Sequence, residues 1–137
     1  VIAIIYKNNL YVANVGDSRC YLLNENGFNK ITIDHSVVEE LVKANIITEE
    51  EAKTHPRRNH ITRAIGTDEM VIFKKQIDAG NKILLTSDGL TGFVDDNTIK
   101  DTLLKDEDVN DLTKELINTA NDVSGRDNIS VILIEEK

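Results

Sequence analysis

The chain opens with short apolar runs separated by polar breaks and switches near residue 36 to helical spacing. Val1 to Tyr6 predicts a buried strand, Asn8-Asn9 a turn, and Leu10 to Val15 a second strand. After Gly16-Asp17, a third strand candidate runs from Arg19 to Leu23. The turn Asn24-Glu25-Asn26-Gly27 then leads into a fourth, Phe28 to Ile33. This first stretch reads as a meander of short antiparallel strands.

From Ser36 the apolar positions Val37, Val38, Leu41, Val42, Ile46 and Ile47 recur at helical spacing, with Ser36 available as N-cap. Thr48 and Glu51 match a capping box and predict a second short helix to about Thr54, broken by His55-Pro56. Val71 to Ile77 and Lys82 to Thr86 read as strands around the Ala79-Gly80-Asn81 turn. Asp95 or Asp96 can cap a helix through Leu104, and Asp108 another from Val109 to about Val123. Leu112, Leu116, Ile117 and Ala120 line one face of the latter. Ile129 to Ile134 closes the chain as a strand. Strands, a helical insert, strands, helices and a last strand predict an α+β layered fold with helices on antiparallel sheet.

Composition narrows the function classes. The chain has 137 residues, 40% hydrophobic and 29% charged, the balance of one globular domain. Lys and Arg number 16 against 24 Asp and Glu, so the net charge of -8 argues against a nucleic-acid partner held by its phosphates. No apolar run approaches the roughly 20 residues that cross a bilayer, so a membrane partner is not expected. A single cysteine, Cys20, excludes an internal disulfide framework and fits a reducing, cytoplasmic setting. Within an apolar strand Cys20 reads as a small core hydrophobe. The opening apolar run, without an initiator methionine, looks like a domain entered partway.

Three aspartates stand where strands meet a sheet rim: Asp17 after Val15-Gly16, Asp88 between Ser87 and Gly89, and Asp127 before Asn128. A carboxylate held by a strand end is pre-positioned for a cation, and a neighbouring glycine lets metal, water or backbone come close. Carboxylates without histidine or thiol partners favour hard cations such as Mg²⁺ or Mn²⁺ over zinc. Each site has an ordinary reading beside this one. Gly16-Asp17 could be a hairpin turn, Asp88-Gly89 a turn or a cap on a short helix, and Asp127-Asn128 a plain link. His35, His55 and His60 lack zinc-site spacing, no serine sits in a Gly-x-Ser-x-Gly elbow, and no nucleotide-binding glycine loop is present. His35, Arg57, Arg58 and His60 read as solvated or loop-capping groups.

Five segments occur in a telling order: Val12 to Arg19 (Val-Ala-Asn-Val-Gly-Asp-Ser-Arg), Ile33 to Ser36 (Ile-Asp-His-Ser), Ile61 to Gly66 (Ile-Thr-Arg-Ala-Ile-Gly), Leu84 to Leu90 (Leu-Leu-Thr-Ser-Asp-Gly-Leu), and Gly125 to Ser130 (Gly-Arg-Asp-Asn-Ile-Ser). In this order they resemble the metal-dependent serine/threonine protein phosphatases of type 2C, in their bacterial branch. The resemblance runs nearly end to end. It implies an α-β-β-α sandwich of two antiparallel sheets flanked by helices, with a binuclear Mn²⁺ or Mg²⁺ centre in the cleft between them. It also implies that Asp88 and Asp127 ligate one metal, that Asp17 with Asp88 holds a further, weaker one, and that Arg19, Arg63 and Gly66 are structural. A flap-like insert is expected at about 37–59.

The implied activity is hydrolysis of phosphoserine and phosphothreonine in proteins by a metal-activated water, on substrates that a Ser/Thr kinase phosphorylates. The family's N-terminal part, with a further Asp ligand and a phosphate-contacting arginine, has no counterpart before Val1. Ser124-Gly125 stands where paired glycines are usual. The expectation is therefore the C-terminal part of one catalytic domain, inactive alone, with a possible oligomer through uncovered strands. The competing expectation is a non-catalytic interaction module with the same fold.

Overall fold

The computed structural model describes residues 1–66 and 69–137. Two hairpins open the chain, and they do not share a sheet. β1 (Ile2–Tyr6) pairs antiparallel with β2 (Asn9–Asn14), Ile4 opposite Tyr11. Lys7 and Asn8 form the turn, both at positive φ (47° and 57°), so the break lies one residue earlier than Asn8-Asn9 suggested. β3 (Arg19–Asn24) pairs with β4 (Gly27–Lys30) around Glu25-Asn26. The expected meander is thus replaced by two hairpins in different layers. Gly16-Asp17 is not a hairpin turn but part of the crossing between them.

The insert contains α1 (Val37–Lys43) and α2 (Glu49–Thr54). Ser36 caps α1 by accepting from Glu39 N–H, and Thr48 with Glu51 forms the reciprocal capping box. α1 stops short of Ile46 and Ile47: Asn45 takes φ 54° and ends the helical path. Neither helix buries a residue fully.

β5 (Val71–Gln76) then joins β2 to complete a sheet ordered β1-β2-β5, while β6 (Lys82–Thr86) crosses to the other sheet beside β3. The Ala79-Gly80-Asn81 turn therefore links layers. α3 (Asp88–Thr91), α4 (Asp96–Leu103) and α5 (Val109–Val123) follow, and β7 (Val131–Glu135) completes the second sheet, β4-β3-β6-β7. Asp95 is the cap of α4 and Asp108 that of α5, each accepting from backbone amides of the first turn.

The two sheets pack face to face. Leu10, Val12 and Ile77 meet Cys20, Leu22, Ile31, Ile83 and Leu85 in one core. The alternate residues of the second sheet, Tyr21, Leu23 and Leu84, face the helices and meet Leu90, Val94, Ile99, Leu103, Leu116 and Ala120. Period-2 alternation thus explains why β3 and β6 are buried on both faces. The β1-β2-β5 sheet is covered on one face only. Ile2, Ile4 and Tyr6 are exposed, Ile4 at 60%, and so is Ile72 across the sheet. The strand expected to be buried at Val1 to Tyr6 is a half-covered edge strand. Among the described residues, no helix is long and apolar enough to cross a membrane.

Candidate metal centre

Asp88 is delivered by β6, whose fully buried Ile83 and Leu84 anchor it in both cores. Ser87, not Asp88, occupies the N-cap position of α3, and Asp88 is the first helical residue. Its carboxylate is therefore not consumed as a cap. Ser87 also fixes the segment opposite: its N–H donates to Ser130 O (3.1 Å), its hydroxyl donates to Asn128 O (3.2 Å), and it accepts from Ser130 N–H (3.0 Å).

Asp127 arrives from the other direction. α5 ends with Ser124 and Gly125 N–H both directed at Ala120 O, and Gly125 at φ +56° turns the chain out of the helix. Asp127 Oδ1 accepts from Asn128 N–H at 2.7 Å. The two segments meet at Gly89, where an added Cβ would lie within 2.8 Å of the Asn128 carbonyl carbon. Only glycine permits that approach.

Asp17 lies on the crossing between β2 and β3. Gly16 has φ +102°, a conformation that side chains other than glycine rarely adopt. Residues 31–35 run alongside this crossing. Asn14 Nδ2 donates to Ile33 O (3.0 Å), and Cys20 N–H donates to Thr32 Oγ1 (3.0 Å). Arg19 grips the buried Asp34 through Nε at 2.9 and 3.1 Å and Nη2 at 2.6 Å. Arg19 Nη1 also donates to Tyr21 OH, which donates to Asp96 at the start of α4. The structural role expected of Arg19 is this network.

Asp17 and Asp127 both act on Asp88. The Asp88 carboxyl is held above the usual carboxylate range, first because it is partly withdrawn from water, then by the negative charges of Asp17 and Asp127. Its own amide and that of Gly89 pull the other way. A carboxylate crowded by two others is relieved by a bound cation, and a set of oxygen donors suits a hard one. The set is small: among the described residues, no group of three or more His, Cys, Asp or Glu is placed to hold a metal ion.

Of the two readings of His35, solvated or loop-capping, the structure supports the second. It is buried, at 8% exposure, and its Nδ1 accepts from Gly16 N–H at 3.1 Å while its own N–H donates to Gly16 O at 2.9 Å. Its position next to Asp34 carries no signal of this, because the partner is 19 residues away.

Comparison with known proteins follows the same outline. Residues 1–129 match the family model of Protein phosphatase 2C. The serine/threonine phosphatase stp of Listeria welshimeri is 39% identical over 138 residues, covering 98% of this chain and 55% of that protein. The crystal structure of the serine/threonine phosphatase Stp1 from Staphylococcus aureus superposes with a TM-score of 0.93 at 41% identity, covering 98% of this chain and 54% of that one. The catalytic domain of the phosphatase PstP, in complex with two manganese ions, superposes with a TM-score of 0.87 at 33% identity over 97% of this chain and 56% of its own. The chain spans about half the length of the curated relatives it matches. On the family match over residues 1–129, the chain belongs to the protein phosphatase 2C family.

Proposed function

We propose that this chain is the C-terminal part of a phosphatase catalytic domain, and that the complete domain hydrolyses phosphoserine and phosphothreonine in kinase-phosphorylated proteins. In this reading Asp88 and Asp127 ligate one Mn²⁺ or Mg²⁺ ion, and Asp17 with Asp88 ligates another. The insert at about 37–59 is the flap beside the site. The observation that carries the proposal is the meeting of the Asp88 turn with the Asp127 segment through Ser87 and Gly89, with the Asp88 carboxyl raised first by partial withdrawal from water and then by the charges of Asp17 and Asp127. A fold without catalytic use has no physical reason to gather repelling carboxylates, which weighs against a purely interactive module.

Bound metal supplies a water of lowered pKa and neutralises charge developing on the phosphoryl oxygens. The chain's own residues orient and hold. Ser87 zips the Asp88 turn to the Asp127 segment, and Gly89 allows their backbones to touch. Arg19 and Asp34 hold the crossing that carries Asp17. No side chain here is assigned as nucleophile.

The bare outer face of the β1-β2-β5 sheet supports the reading of a partial domain, since layered folds cover the apolar faces of their sheets. The expected result for the 137-residue chain with Mn²⁺ and p-nitrophenyl phosphate is no turnover. Turnover that Asp88→Asn abolishes would overturn the incompleteness. A chimera that supplies the unmatched portion of the Listeria welshimeri relative is expected to dephosphorylate a phosphothreonine peptide. A folded, manganese-binding chimera without hydrolysis would favour the interaction module instead.

A further inference from the structure

We infer that His35 is a positioning residue for Asp17, and that it ties the carboxylate to the root of the insert formed by α1 and α2. The inference rests on Asp17 being a metal ligand, as proposed above.

The root of the insert is a narrow neck. Ser36 bridges Ile61, Val37 N–H donates to His60 O (2.9 Å), and Thr62 N–H donates to His35 O (2.8 Å). The chain leaves for α1 and returns after α2 through this one pairing. His35 therefore has two backs to lean on. Its carbonyl is held by Thr62 of the returning chain, while its amide and imidazole are held by Gly16.

The contact with Gly16 is reciprocal and shielded from water, so it fixes the peptide planes on both sides of Gly16. Gly16 is the residue with the least intrinsic preference for its conformation, and it directly precedes Asp17. With φ free, the Asp17 carboxylate would sample many directions. With φ pinned at +102°, it keeps one. The Arg19 and Asp34 pair secures the far end of the crossing, and Asp34 is the neighbour of His35, so one dipeptide holds both ends. A shift of the insert relative to the sheets pulls on His35 and thereby on Gly16. The imidazole accepts through Nδ1, so its ring proton lies on Nε2.

The simpler role, a buried histidine that only fills space, makes a different forecast. Asparagine places its carbonyl oxygen where Nδ1 lies and retains the acceptor, whereas leucine retains volume alone. The test uses the ¹⁵N-labelled 137-residue chain. Amide exchange at Gly16 is measured without metal, and paramagnetic broadening of the Asp17 and Asp127 amides is followed as Mn²⁺ is added. Gly16 is expected to be protected in the native chain and in His35→Asn, and to exchange at least about tenfold faster in His35→Leu. The Asp17 amide should need about tenfold more Mn²⁺ in His35→Leu, with Asp127 unchanged and His35→Asn close to native. Should His35→Leu fail to fold by circular dichroism, His35→Gln, which carries its acceptor one bond further out, serves the same comparison. Native Gly16 protection or native Asp17 broadening in the leucine variant would overturn the inference. Absence of Mn²⁺ broadening at Asp17 in the native chain, with Gly16 behaving as expected, would defeat the metal reading of Asp17 while the control of Gly16 by His35 stands.

Discussion

Gly89 and Asn128 are in backbone contact, at a distance that leaves no room for a β-carbon. Through it the start of α3 and the approach to β7 share one surface, with Asp88 on one side and Asp127 on the other. Gly89→Ala must separate them. The expected cost is about 1–3 kcal/mol of stability from overpacking, read as a lower urea midpoint. Weaker Mn²⁺ binding by calorimetry should accompany it. A midpoint and an affinity equal to the native chain would show that the contact does not align the carboxylates.

The helix-covered sheet and the bare sheet should respond differently to truncation. Leu116 of α5 is fully buried against Tyr21 and Leu84, so Leu116→Ala is expected to cost about 2–5 kcal/mol. Ile4 on the open face loses little on becoming serine, within about 0.5 kcal/mol. Urea titrations of both variants check this, and equal costs would mean that the outer face of β1 is covered.

That same face should make the isolated chain self-associate. Ile2, Ile4, Tyr6 and Ile72 form a contiguous apolar surface on a sheet with two edge strands, β1 and β5. Light scattering is expected to show mass rising with concentration, and the double variant Ile4→Glu, Ile72→Glu to return it to that of a monomer. A monomeric native chain at high concentration contradicts the prediction.

Cys20 is buried, and burial pushes its thiol from the ordinary 9.0 up to about 12. Thiol reagents at pH 8 should leave it unmodified in the native chain and label it promptly in denaturant. The linkage has a definite sign. The folded state holds the proton more tightly than the unfolded state, so this contribution to stability is intact below pH 9. It is lost as pH rises from 9 towards 12. Urea midpoints across that interval should fall, and Cys20→Ala should flatten the fall.

Arg19 and Asp34 form a charge-assisted pair with Asp34 buried. Asp34→Ala leaves a largely enclosed guanidinium without its partner and is expected to cost about 3 kcal/mol. The Asp17 amide resonance should shift in the same variant, because the crossing loses its far anchor. An unchanged resonance would mean that the crossing is held without Asp34.

Local chemistry determined most elements of this chain. The capping box at Thr48 and the caps at Ser36 and Asp108 were legible because a helix start is written within four residues, and the apolar spacing of α5 because one face repeats every turn. That Asp88 follows a buried strand was legible too, and the ordered motifs identified the family. Which sheet each strand joins was not. A strand run has the same pattern whether its neighbour is the next strand or one 60 residues away, so Gly16-Asp17 resembled a hairpin turn and proved to be a crossing between sheets. The exposed face of β1 escaped for a related reason: an apolar run states that burial is favourable, not that a covering layer is present. Only the tertiary structure decided that Gly89 touches Asn128, that His35 pins Gly16, and that the charges of Asp17 and Asp127 bear on Asp88. Each of these joins residues far apart in the chain, and their distance in space is set by how the sheets pack.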